Sequence, residues 1–85
     1  MTGEEMLHSA ARLVADRRGS YGDPTVLMAA IATRWSITLG RPVTSSQVVL
    51  CLIDLKLARL AHDPMHLDSL RDIAGYAAVL REAVR

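Results

Sequence analysis

Thr44-Ser45-Ser46-Gln47-Val48-Val49-Leu50-Cys51-Leu52-Ile53-Asp54-Leu55-Lys56-Leu57-Ala58-Arg59-Leu60 is the stretch that decides the fold class. Thr44 with Gln47 three residues on is a capping box, in which the hydroxyl accepts from the Gln47 amide and the Gln47 side chain returns to the Thr44 amide. The run from Val48 to Leu60 is then apolar almost all round, and a helix apolar on most faces is expected to be buried on most faces. Cys51 lies inside this run as a lone cysteine and reads as a small buried hydrophobe. A reducing compartment fits.

Outward from that helix, the chain divides by start and stop signals. Upstream, Asp23-Pro24 opens a helix with a carboxylate cap and a proline at the first helical position, where no amide bond is lost. Its expected apolar stripe is Leu27, Ala30, Ile31, Trp35 and Leu39, and Gly40-Arg41-Pro42 ends it. Earlier still, Thr2 and Glu5 form a second capping box; Met6, Ala10, Leu13 and Val14 share a face; Gly19-Ser20-Tyr21-Gly22 is the expected stop. Downstream, Pro64 within His62-Asp63-Pro64-Met65-His66 breaks the chain before a fourth helix running from about Leu67 to the end. Its expected stripe is Leu67, Leu70, Ala74, Ala77 and Leu80 or Arg81. No strand-like alternation is sustained, so residues 1–85 read as one all-α, four-helix bundle-like domain.

Composition bounds what such a domain can do. Hydrophobic residues make up 51% of the 85 and charged residues 22%, more apolar surface than so small a monomer covers. Self-association, at least as a dimer with the third helix at or near the interface, is the expected remedy. Ten Lys+Arg against nine Asp+Glu give a net charge of +1, too little basic excess for a general nucleic-acid binder. The longest strongly apolar stretch, Val48 to Ile53, is far short of a membrane span, so neither an anchor nor a signal peptide is expected.

The chemistry-bearing candidates cluster late in the chain. Asp68, Asp72 and Tyr76 form a row at steps of four, and its two carboxylates, about 5–6 Å apart at Cβ, can share a divalent cation. Magnesium is the natural choice, because it accepts few protein ligands when it arrives with phosphates and water. The competing reading is that acidic residues simply favour a helix start. Lys56 and Arg59, three apart, are expected on one edge facing that row, either as partners of Asp68 and Asp72 or as the cationic side of a phosphate site. Asp54 is a paired charge or a third metal ligand. Arg18 with Tyr21 is a plain loop or a recognition element, with the phenol stacking on a ring and the guanidinium reaching phosphate. His62, His66, Asp63 and Asp68 include zinc-ligand types, but Pro64 separates the histidines. Trp35 reads as core.

Tyr21-Gly22-Asp23-Pro24, Trp35, Lys56-X-X-Arg59-Leu60 and His66-X-Asp68-X-X-X-Asp72-Ile73-Ala74-Gly75-Tyr76-Ala77 together resemble a family of small phage and prophage proteins of unassigned activity. More distantly, the closing Asp-X-X-X-Asp-Ile-Ala-Gly-Tyr segment is similar to the all-α, MazG-like nucleoside triphosphate pyrophosphatases. That likeness implies an oligomer binding a nucleotide with magnesium on Asp68 and Asp72, in the cytoplasm of a phage-infected or lysogenic bacterium. The Glu-Glu-X-X-Glu motif of the earlier helix in such enzymes has no counterpart here: Glu4-Glu5-Met6-Leu7-His8 begins like it and ends in histidine. A non-catalytic interaction module and a nucleotide-sequestering protein are the other readings that these residues allow.

Overall fold

The computed structural model describes residues 1–84, which form four helices: α1 (Gly3–Tyr21), α2 (Pro24–Leu39), α3 (Ser45–His62) and α4 (Leu67–Ala83). Local chemistry sets their starts. Thr2 and Glu5 close a capping box at α1, Thr44 and Gln47 close another at α3, and Asp23 caps α2 with Pro24 in its first turn. At α4 the cap is His66, whose Nδ1 accepts from the Ser69 amide at 3.2 Å and sits 2.6 Å from the Ser69 hydroxyl. Two glycines with positive φ mark ends: Gly40 at 68° in the left-handed region and Gly22 at 84°.

One expected boundary moves. α1 does not stop at Gly19 but continues through Ser20 and Tyr21, and the Gly22 amide closes it by donating to the Arg18 carbonyl at 2.9 Å. Gly19 can sit in a helix at a modest propensity cost, whereas the φ of Gly22 cannot.

The helices pack in the order α1, α4, α3, α2. The α3–α4 contact is the most extensive, α1 rests on α4, and α2 rests on α3 with a smaller contact to α4. Contact between α1 and α2 is at most slight, so the ring stays open on that side. A Cα radius of gyration of 13.6 Å, against about 12 Å for a compact chain of this length, reflects this open, flattened shape, 42 × 31 × 21 Å.

The core is small: Met28, Ala32, Val48, Val49 and Val79 cluster together, with Ile31, Trp35, Leu52, Ile53, Tyr76 and Leu80 packed partly around them. Trp35 is core, as expected. Three other expectations hold only in part: Ile31, Trp35, Leu67, Ala74 and Leu80 are at least half-buried as expected, but other residues are not. α3 is covered by only two helices, so Leu50, Leu55 and Leu57 stay about half exposed and Cys51 is exposed instead of buried. In α2 the buried stripe is Met28 and Ala32, while Leu27, Ala30 and Leu39 face out; in α4 it is Ser69 and Val79, while Leu70 and Ala77 face out. Where a helix is apolar on several faces, periodicity does not choose among them; the neighbouring helices do.

Candidate functional site

The gap between α1 and α2 is a cleft of about 180 Å³ floored by α4. Leu13, Val14, Leu27, Met28 and Val79 supply apolar wall, and Arg17, Arg18 and Arg71 with Tyr21 and Tyr76 supply the functional groups. Gly75 makes the α1–α4 approach possible: a Cβ there would stand 3.3 Å from Val14 Cγ2.

Charge is concentrated on Asp72. Its Oδ2 is 3.0 Å from Lys56 Nζ and its Oδ1 is 3.6 Å from Arg17, so one carboxylate answers cations from α3 and α1. Asp72 is only 13% exposed at its side chain, whereas Asp68 is 73% exposed and lies 3.4 Å from Arg71. The two carboxylates of the row thus attend to different cations. Arg18 forms a two-pronged pair with Glu82, at 2.7 and 2.8 Å, across the α1–α4 seam. Those hydrogen bonds raise the guanidinium pKa above its ordinary value. Hydrogen bonds from the Thr25 backbone amide, then from its hydroxyl, hold the Asp23 carboxyl below its ordinary 3.8.

Of the residues picked out from the sequence, Arg18, Tyr21, Asp72 and Tyr76 meet at this cleft, and Lys56 joins them through Asp72. Arg59 does not. It is exposed and borders a separate shallow hollow with Leu55, His62 and His66. Asp54 is exposed too, on the face of α3 away from the cleft. Among the described residues no group of three or more His, Cys, Asp or Glu side chains is placed to hold a metal ion, and His66 Nδ1 is committed to Ser69.

Two cleft residues went unnoticed in the sequence. Arg17 reads only as a helix-end charge, and Arg71 looks like an ordinary i,i+3 partner of Asp68. The Nε of Arg71 is buried with no hydrogen-bond partner among the described residues, and a guanidinium N–H in that state is open to an acceptor from a ligand. The available signal was their register: Arg71 is next to Asp72 and four residues before Gly75.

A family model matches residues 5–84. The chain belongs to the family described as "Domain of unknown function (DUF6378)". Among curated proteins it is similar to the Gene 55 protein of Mycobacterium phage L5, 35% identical over 82 residues, covering 95% of this chain and 49% of that protein. It is likewise similar to the Gene 55 protein of Mycobacterium phage D29, 35% identical over 75 residues, covering 87% of this chain and 50% of that one. The chain therefore spans about half the length of these relatives. No solved structure matches it. Both relatives of this family member are phage proteins, which agrees with the small-phage-protein resemblance. No described helix is long and apolar enough to cross a membrane.

Proposed function

We propose that the chain, as a homo-oligomer, binds a nucleotide or related phosphate ligand in the α1–α2–α4 cleft. The observation that carries this is the convergence of Arg17, Arg18 and Arg71 with Tyr21 and Tyr76 on an otherwise apolar hollow. Guanidinium groups match phosphate oxygens in pairs, tyrosine rings stack on bases, and the apolar wall takes a ring without hydration. At about 180 Å³ the hollow is smaller than the roughly 300–1,000 Å³ of whole-ligand pockets. It suits a single ring inside, with phosphates at the arginine-lined rim.

Magnesium would enter with those phosphates on Asp72. Asp68 would join it only by leaving Arg71, to which it lies 3.4 Å away. MazG-like pyrophosphohydrolysis is the furthest form of this reading, and sequestration of the nucleotide without turnover is its simpler form. The setting implied by the phage relatives is the cytoplasm of a phage-infected or lysogenic bacterium. A second reading, a non-catalytic interaction module, is favoured by one observation: Asp72, Asp68 and Arg18 each already have an ionic partner in the chain.

Thermal melting against a nucleotide panel, with and without magnesium, tests these alternatives. A ligand that binds only the native state raises the melting temperature as its concentration passes its Kd. A magnesium-dependent rise supports the metal-assisted form, a magnesium-independent rise supports sequestration, and no rise leaves the interaction module as the better account.

A further inference from the structure

We infer that the cleft takes a nucleoside monophosphate without a metal ion, with the phosphate on the Nε edge of Arg71 and the base against the apolar wall. This rests on the nucleotide reading proposed above and narrows it to one phosphorylation state. Arg71 lines the cleft, and its Nε is buried with no hydrogen-bond partner among the described residues. The ion pair it does make is loose: Nη1 stands 3.4 Å from Asp68 Oδ1, on a side chain 73% exposed. A pair so placed contributes little to stability, so it yields to a better acceptor. Nη1 lies on the Cδ side of the guanidinium, and Nε–H is on the opposite edge. Exchanging Asp68 for a phosphate lets the side chain turn that edge to the cleft, where its parallel N–H groups match two phosphate oxygens. The ligand-free chain bears the cost of an unpaired buried N–H, and a phosphate that pairs it removes that cost.

The charges around Arg71 limit the ligand to one phosphate. Arg18 is engaged by Glu82 at 2.7 and 2.8 Å, and Arg17 stands 3.6 Å from Asp72. Asp23 and Asp72 line the same cleft, so further phosphates meet carboxylates there and are repelled. The two carboxylates able to carry a metal to such phosphates face cations instead, Asp72 at 3.0 Å from Lys56 and Asp68 beside Arg71. For the base, Leu13, Val14, Leu27 and Val79 supply an apolar seat in a hollow of about 180 Å³.

Isothermal titration calorimetry in EDTA compares the common nucleosides with their monophosphates and triphosphates. A monophosphate binds about tenfold or more tighter than its nucleoside, and no weaker than its triphosphate. Arg71→Gln lowers that affinity to the level of the nucleoside, and Arg71→Lys, which keeps the charge but not the paired N–H groups, recovers at most part of it. Asp68→Asn, which removes the competitor for Arg71, binds the monophosphate at least as tightly as wild type. Unchanged monophosphate affinity in a folded Arg71→Gln chain, or weaker affinity in Asp68→Asn, overturns the assignment to Arg71. A triphosphate that binds tighter in EDTA, a monophosphate no tighter than its nucleoside, or binding only with magnesium overturns the single-phosphate ligand while the nucleotide reading stands. No binding by any of these ligands, with or without magnesium, overturns both. Should Arg71→Gln fail to fold, the wild-type series and Asp68→Asn decide the outcome.

Discussion

Lys56 Nζ on α3 and Asp72 Oδ2 on α4 stand 3.0 Å apart, with only 15% and 13% of their side-chain surfaces exposed. The pair bridges the most extensive helix contact in the molecule, and Arg17 at 3.6 Å from the other Asp72 oxygen extends it to α1. Because α4 lies between α1 and α3, its inward face cannot be wholly apolar without leaving these cations unmatched.

Replacing Asp72 by Asn keeps its shape and removes its charge, leaving the largely enclosed Lys56 ammonium without a counter-ion. The expected loss is about 1–3 kcal/mol, read by urea denaturation, and adding Lys56→Met to Asp72→Asn recovers part of it. Asp68→Asn stays within about 0.5 kcal/mol of wild type. Equal effects at both aspartates would contradict the assignment. Nucleotide-induced melting shifts on the same Asp72 variant report whether that carboxylate also serves a ligand.

His66 is the unusual cap of α4, and the fully buried Ser69 depends on it for both its amide and its hydroxyl. His66→Ala costs about 1 kcal/mol and His66→Asn, another side-chain acceptor, restores most of it. His62→Ala, on an exposed side chain at the end of α3, serves as the unaffected control in the same denaturation series.

Gly75 sets the distance between α1 and α4. Alanine there gains about 1 kcal/mol of helix propensity but meets Val14 Cγ2 at 3.3 Å, so the two effects nearly offset. Gly75→Val adds bulk that Val14 cannot clear and costs about 1–3 kcal/mol. The same variant spreads the cleft walls, so any nucleotide-induced melting shift shrinks with it.

Asp23 carries an acid-side prediction. Its folded pKa lies below the ordinary 3.8 because the Thr25 amide and hydroxyl bond to the charged form. The stability it contributes is therefore fully present above the unfolded value and is lost as pH falls through the lower, folded one. Melting temperatures measured from about pH 6 to about pH 2 should fall more steeply for wild type than for Asp23→Asn, whose side chain caps without titrating. Parallel curves would show that the cap has no pH-dependent share.

What the sequence by itself determined is where the helices begin and end, apart from the extra turn of α1. The Thr2–Glu5 and Thr44–Gln47 boxes, the Asp23-Pro24 start and the glycine at Gly40 all act through bonds within a few residues, so their outcome is contained in the local order of side chains. It also set Lys56 opposite the acidic row of α4, because a short connection forces neighbouring helices to lie side by side, but it left open whether Lys56 meets Asp68, Asp72 or a phosphate. The tertiary structure alone decided which face each helix buries. Met28 replaces Leu27 in the α2 core, Val79 replaces Ala77 in that of α4, and Cys51 is left outside. It alone separated Arg59 and Asp68 from the cleft and brought Arg17 and Arg71 into it. Burial of an apolar face is non-directional, so a helix apolar on several sides takes its orientation from the helices around it.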